Sequence, residues 1–238
     1  MNDSSVRTTA PAEAQATRSS TREDLIEAVI RAEWDQFQRT NNEGGRAACQ
    51  GNWPVFHVMR LSQFATWPDD LLASYLGDLQ DADRTGRNLV TEKYARMMAS
   101  TAPEAYRAEI APQLEAAGIV LDFDGRRRKL QERIVRQQVD WADGFRRQYP
   151  KLGEAMRVLR TADDSSEQTS FETYLRGELS TYSDATLDKY ARFVEGLADR
   201  GENLTTKTVL NTALLAGYDS LDAMEAADAS AQAATDAA

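Results

Sequence analysis

The chain has one cysteine, Cys49, and one histidine, His57. A single thiol excludes an intramolecular disulfide framework. A single imidazole excludes every metal centre built on two or more histidines, so no metal ligands are assigned. No apolar run approaches the ~20 residues that cross a bilayer, and no positive-then-apolar segment opens the chain. The expectation is a soluble, cytoplasmic protein with no membrane partner. Period-two alternation is also lacking, which argues against a sheet. Positive charge is short as well: 28 Lys and Arg stand against 38 Asp and Glu, a net charge of −10. Bulk binding to nucleic acid or to an anionic membrane needs concentrated positive charge, so neither is expected.

What is present is a helical pattern. An apolar share of 42% over 238 residues is ample for a packed core. Residues 1–20 are small and polar with no periodic apolar positions, and 222–238 are dominated by Ala and Asp. Both ends are expected to lie outside the fold, the second as a frayed tail. Between them, residues 21–221 read as a single all-α domain. Thr21 is placed to cap a first helix carrying Leu25, Val29, Ile30, Trp34 and Phe37 at helical spacing. A polar loop follows from Thr40 to Arg46. A second helix carries Phe56, Met59, Phe64 and Trp67, and Pro68 suits the first turn of a third. Gly86 ends that helix, Asn88 caps a fourth, Pro103 opens a fifth, and Gly118 to Gly125 reads as a break.

The strongest organisational signal is internal repetition. Thr66, Asp69, Leu72, Tyr75, Gly86, Asn88, Leu89 and Thr91 recur 115 positions later as Thr181, Asp184, Leu187, Tyr190, Gly201, Asn203, Leu204 and Thr206. Leu25, Glu27, Arg31 and Asp35 recur 105 positions later as Leu130, Glu132, Arg136 and Asp140. The two offsets differ by an insertion in the first half, where the loop from Asn41 to Gln50 lies. The expected architecture is a helical bundle of two tandem repeats, about 21–118 and 126–221, related by a pseudo-twofold axis.

Helical spacing also turns polar residues inward. Glu33 falls at the centre of the first apolar arc, and its counterpart Gln138 falls among Leu130, Ile134, Val135 and Val139. Arg60 and Gln63 lie among Phe56, Met59, Phe64 and Trp67. Their counterparts Leu175 and Glu178 lie among Phe171, Tyr174, Leu179 and Tyr182. Each half thus places one carboxylate and one carboxamide inward, in swapped positions. Buried carboxylates must be paired, hydrogen-bonded or protonated. One reading is a polar network that sets helix register, with Arg60 neutralising a glutamate. The other is a pocket between the repeats where Glu33, Arg60, Gln63, Gln138, Tyr174 and Glu178 hold a small polar molecule, with Glu33 and Glu178 as acid–base candidates. With Arg60 the one inward cation in this reading, the stripes are short of positive charge, which favours a cationic or hydrogen-bond-donating ligand.

The inserted loop offers further candidates. Gly44 and Gly45 let backbone amides turn toward an anion, Arg46 adds a fork of donors, and Glu43, Arg46 and Cys49 are expected at the pocket mouth, with Gln50 a further ligand-binding candidate. Cys49 is a candidate nucleophile with His57 as the one available imidazole base, although a small buried hydrophobe and a half-buried histidine are the plainer readings. Arg126 to Lys129 form a basic run expected to pair with acidic neighbours or touch a partner. Asp81, Asp83, Asp122 and Asp124 read as surface and turn charge, and Glu92 with Arg96 as a surface ion pair.

The runs Glu33–Phe37, Asn41–Arg46, Met59–Phe64, Gly86–Tyr94 and Ser170–Leu179 resemble the bacterial family called domain of unknown function 4125, over about residues 22–219. The resemblance implies a bacterial, actinobacterial, cytoplasmic protein and carries no activity, so no catalytic residue and no cofactor comes from it. Two function classes stay open. One is a small-molecule-binding protein or an enzyme of specialised metabolism, using the inter-repeat pocket. The other is a non-enzymatic helical module whose partner is another protein or, in a homodimer, a second copy of the chain.

Overall fold

The computed structural model describes residues 11–40 and 48–236, with side chains from 22 to 40 and from 50 to 230. Among them the protein is all-α, with no strand. Helix α1 (Pro11–Gln38) is followed by a 3-10 turn (Ala48–Gly51), α2 (Trp53–Phe64), α3 (Asp69–Arg84) and α4 (Leu89–Thr101). A short α5 (Pro103–Ala105) runs through a π turn (Tyr106–Ile110) into α6 (Ala111–Ala116). Then come α7 (Gly125–Gln148), α8 (Pro150–Glu154), a 3-10 turn (Thr161–Asp163), α9 (Phe171–Leu179), α10 (Asp184–Asp199), α11 (Leu204–Leu215) and α12 (Leu221–Asp236). Among the described residues no helix is long and apolar enough to cross a membrane.

The punctuation follows the residues expected to supply it. Gly86 at φ +75° lets the Arg87 amide turn back to the Ala82 carbonyl at 2.8 Å, closing α3. Asn88 then accepts from the Thr91 amide at 2.9 Å and starts α4. Gly201 at φ +68° and Asn203, which accepts from the Thr206 amide at 3.1 Å, do the same between α10 and α11. Asp124 caps α7 through the Arg127 amide. The ends of the chain differ from expectation. The first helix begins at Pro11 rather than at Thr21, so part of the expected disordered segment is helical, while residues 1–10 lie outside the described residues. The segment after Leu221 is helix α12 rather than a frayed end. Leu221 is buried with Phe145, Leu152 and Ala213, and Glu225 accepts from the Lys151 and Leu152 amides, each at 2.9 Å, at the start of α8. Nothing in its own composition discloses those partners.

α1 packs on α2 and α3, and α7 on α9 and α10, while α3 lies against α10. Across the chain, α4 packs on α9, and α11 on α2. One continuous core results, joining Val29, Ile30, Phe64, Trp67 and Leu72 to Val135, Val139, Leu179 and Leu187. Polar contacts recur at the offsets seen in the sequence. Asn88 Nδ2 donates to the Gln36 carbonyl at 2.8 Å, and Asn203 Nδ2 to the Trp141 carbonyl at 2.9 Å. Arg22 pairs with Asp69 and donates to the Trp67 carbonyl at 2.8 Å; Arg127 pairs with Asp184 and donates to the Tyr182 carbonyl at 2.7 Å.

Candidate functional site

Helical spacing brings Glu33 to the inner face of α1, where it is 1% exposed. Its Oε1 accepts from the Tyr75 hydroxyl of α3 at 2.6 Å. Its Oε2 lies 2.7 Å from Arg60 Nε of α2 without the alignment of a hydrogen bond, so the contact is an ion pair. Arg60 Nη1 donates to Gln63 Oε1 at 2.9 Å and lies 4.0 Å from Glu178 Oε2. Gln63 Nε2 donates to Glu178 Oε1 at 3.2 Å, and the Tyr182 hydroxyl donates to the same oxygen at 3.0 Å.

A second cation completes the network. Lys93 of α4, 3% exposed, lies with its Nζ 3.5 Å from Glu178 Oε2 and donates to the Tyr174 hydroxyl at 2.8 Å. The expected shortage of inward positive charge is therefore corrected: two carboxylates face two cations. Lys93 was legible by the same rule that found Glu33. Val90, Lys93 and Met97 are spaced by three and four, and all are buried on α4. The close approach of α4 and α9 depends on Gly177, where an added Cβ would sit 2.9 Å from Met97 Cγ and 3.1 Å from the Lys93 carbonyl oxygen.

Burial alone would raise the Glu178 carboxyl, but Lys93 and Arg60 hold it below its ordinary value. Burial also pushes the Tyr174 phenol up, and again Lys93 and Arg60 outweigh it, so the phenol is held below its ordinary value. The other buried phenols go the opposite way. Burial, followed by Glu33 for Tyr75 and by Glu178 for Tyr182 and Tyr190, pushes them up. Lys93 is favoured as an ammonium because Tyr174 and Glu178 outweigh its burial.

Glu33, Arg60, Gln63, Tyr174 and Glu178 are thus brought into one network. Gln138 is set apart, donating to the Tyr190 hydroxyl at 3.0 Å, whereas Glu33 accepts from the Tyr75 hydroxyl. His57 Nε2 lies 2.5 Å from Glu27 Oε1, with its ring against Trp53, so it is engaged with α1 rather than with the network. Gln50 anchors the chain after α1 instead, donating to the Phe37 and Thr40 carbonyls at 2.7 and 2.9 Å. Glu43 and Arg46 lie outside the described residues, as does the side chain of Cys49. Glu92 is not a surface partner of Arg96. It is buried and held by both Arg87 Nε at 2.9 Å and Nη2 at 2.7 Å, while Arg96 donates to the Val120 carbonyl. The basic run pairs with acids: Arg126 with Asp188, Arg127 with Asp184 and Arg128 with Asp122.

Among the described residues no group of three His, Cys, Asp or Glu side chains is placed to hold a metal ion. Surface cavities of about 270 and 720 Å³ lie along α7 and α10, around Arg133, Ala191 and Glu195, and share no residue with the network. What the network offers chemically is a phenol whose proton an adjacent ammonium makes easier to lose, backed by a carboxylate and a guanidinium. A family model described as Protein of unknown function (DUF4125) matches residues 23–226. No curated protein and no solved structure matches the chain.

Proposed function

This chain belongs to the DUF4125 family, and we propose that it is a small-molecule-binding helical protein with proton-transfer capacity at Tyr174. The bound molecule lies where α2 and α4 meet α9, the junction of two copies of one helical unit related by a pseudo-twofold axis. The observation that carries this reading is the Lys93–Tyr174 pair at 2.8 Å. Lys93 is needed with Arg60 to balance Glu33 and Glu178, but its Nζ lies 3.5 Å from the nearer Glu178 oxygen and makes its hydrogen bond to the Tyr174 hydroxyl instead. A phenol with an ammonium on its oxygen is the arrangement a general acid or base requires.

The test is a spectroscopic titration of the full chain. Phenolate absorbance is expected to appear below the ordinary phenol value of about 10 and to vanish in Tyr174→Phe, because Tyr75, Tyr182 and Tyr190 are pushed up. Lys93→Met should move that early step upward. A titration with no early step removes the proton-transfer role. A thermal-shift screen of metabolites then reads binding directly, since a ligand at 100 times its Kd stabilises by ~2.7 kcal/mol.

A second reading, a protein-interaction module, is favoured by one feature. Val55 and Met59 on α2 and Leu214 and Leu215 on α11 are exposed large apolar residues on two helices that pack together. Self-association measured by sedimentation, and abolished by Met59→Glu, would support that reading over the first.

A further inference from the structure

We propose that the molecule bound beside Tyr174 is a planar anion, an aromatic or heteroaromatic ring carrying a carboxylate or phosphate. This rests on the small-molecule reading above and gives it a ligand class.

α1, α2 and α4 bring five aromatic side chains into one cluster at the edge of the network. Trp34 lies 5.3 Å from Trp53 and 5.0 Å from Phe56, Phe56 stacks on Phe37 at 5.6 Å, and Phe37 lies 6.4 Å from Tyr94. Phe37 is buried, but Trp34, Trp53, Phe56 and Tyr94 are only half-buried, so ring surface remains uncovered. Phe64 and Trp67, by contrast, are closed over in the core.

Cations stand on these rings. Arg60 Cζ lies 5.6 Å from the Phe56 centroid, and Lys93 Nζ lies 5.3 Å from Tyr94 and 4.5 Å from Tyr174. The Arg157 guanidinium lies 4.8 Å from Tyr174, and its side chain is exposed. Unlike Arg60 and Lys93, Arg157 has no carboxylate within ion-pair distance among the described residues. Its fork of donors matches a carboxylate or phosphate. A ring stacked on the aromatic wall with its acid on Arg157 uses both features. A planar cation would meet four positive groups, Arg31 over Trp53 at 5.7 Å among them, and a small non-aromatic anion would leave the wall unused.

The combination occurs once in the chain. At the offsets of 105 and 115, Trp34 is answered by Val139, Trp53 by Gln168, Tyr94 by Val209 and Lys93 by Thr208. Packing needs shared by both halves would have kept similar side chains at these positions. Phe56 keeps a ring at Phe171, while the other four rings and the Lys93 charge depart together, as expected if they serve one ligand.

The test titrates the full chain with benzoate and with adenosine monophosphate, alongside acetate, inorganic phosphate and benzyl alcohol, reading tryptophan fluorescence and thermal shift. The expected result is saturable quenching and a raised Tm with at least one planar anion and with none of the other three. Arg157→Ala, at an exposed position, should weaken that binding about tenfold, the worth of one charge-assisted contact. Which planar anion binds more tightly distinguishes carboxylate from phosphate. Equal stabilisation by acetate or phosphate would keep a binding site but overturn the planar class, and equal stabilisation by benzyl alcohol would overturn the anion. Planar binding unaffected by Arg157→Ala, or no binding by any probe, also overturns the proposal. The phenol titration of Tyr174 is read without ligand, so its failure is separate.

Discussion

Arg60 is the side chain on which the network turns. It stands between Glu33 and Glu178, largely buried, with burial outweighed by Glu33 so that the guanidinium stays charged. Arg60→Ala leaves Glu33 buried without its cation, and the expected cost in denaturant melts is about 3–5 kcal/mol. Glu33→Gln keeps an acceptor for the Tyr75 hydroxyl and leaves Arg60 beside Glu178, so a smaller loss is expected. A cost below about 1 kcal/mol for Arg60→Ala would mean that water, not protein, solvates Glu33 there. Glu178 gives the acid limb. Its folded carboxyl lies below its unfolded value of about 4.3, so its stabilisation is complete above that pH and is lost as pH falls through the depressed folded value. Glu178→Gln is expected to flatten that limb in urea melts taken at stepped acidic pH.

Two element-scale devices set the geometry. Gly177 sits inside α9, where alanine would ordinarily gain about 1 kcal/mol in helix propensity. Here the added methyl meets Met97 Cγ at 2.9 Å and the Lys93 carbonyl at 3.1 Å, and a backbone oxygen yields only if α4 moves. Gly177→Ala is therefore expected to destabilise by about 1–3 kcal/mol, as overpacking does, and to shift the early phenol step of Tyr174 upward. Chemical denaturation and the spectroscopic titration check the two halves of that statement. The second device is the glycine–asparagine corner. Asn88 and Asn203 each cap a helix and each hold a carbonyl of a neighbouring long helix, at 2.8 and 2.9 Å. Asn88→Ala and Asn203→Ala are each expected to cost about 1–2 kcal/mol by thermal melts, and by similar amounts. Strongly unequal costs would count against equivalent corners.

At the scale of the whole molecule the packing of α4 and α11 is decisive. α4 lies on α9 and α11 on α2, so cutting between α6 and α7 strips each half of helices that cover it. Residues 22–118 and 119–226 produced separately are expected to show no cooperative melt by circular dichroism. Mixed, they are expected to recover one transition. A cooperative melt of either piece alone would show that its own contacts suffice.

Sequence alone determined the all-α class, because apolar spacing, asparagine caps and glycine stops are local signals carried by neighbouring residues. It also determined which faces of α1, α2 and α9 turn inward, and so Glu33, Gln63 and Glu178. It disclosed the paired offsets, whose polar contacts the folded chain repeats. Only the tertiary structure decided which inward groups meet. Lys93 reaches Tyr174 and Glu178 because α4 crosses onto α9, a pairing between residues 81 positions apart that no local pattern encodes. Glu92 turned from an expected surface pair into a buried one because Arg87, five residues before it, folds back across the helix start. α12 was unreadable for the same reason. An alanine-rich segment has no apolar stripe of its own, and its partners, Phe145, Leu152 and the open amides of α8, exist only once the chain has closed around them.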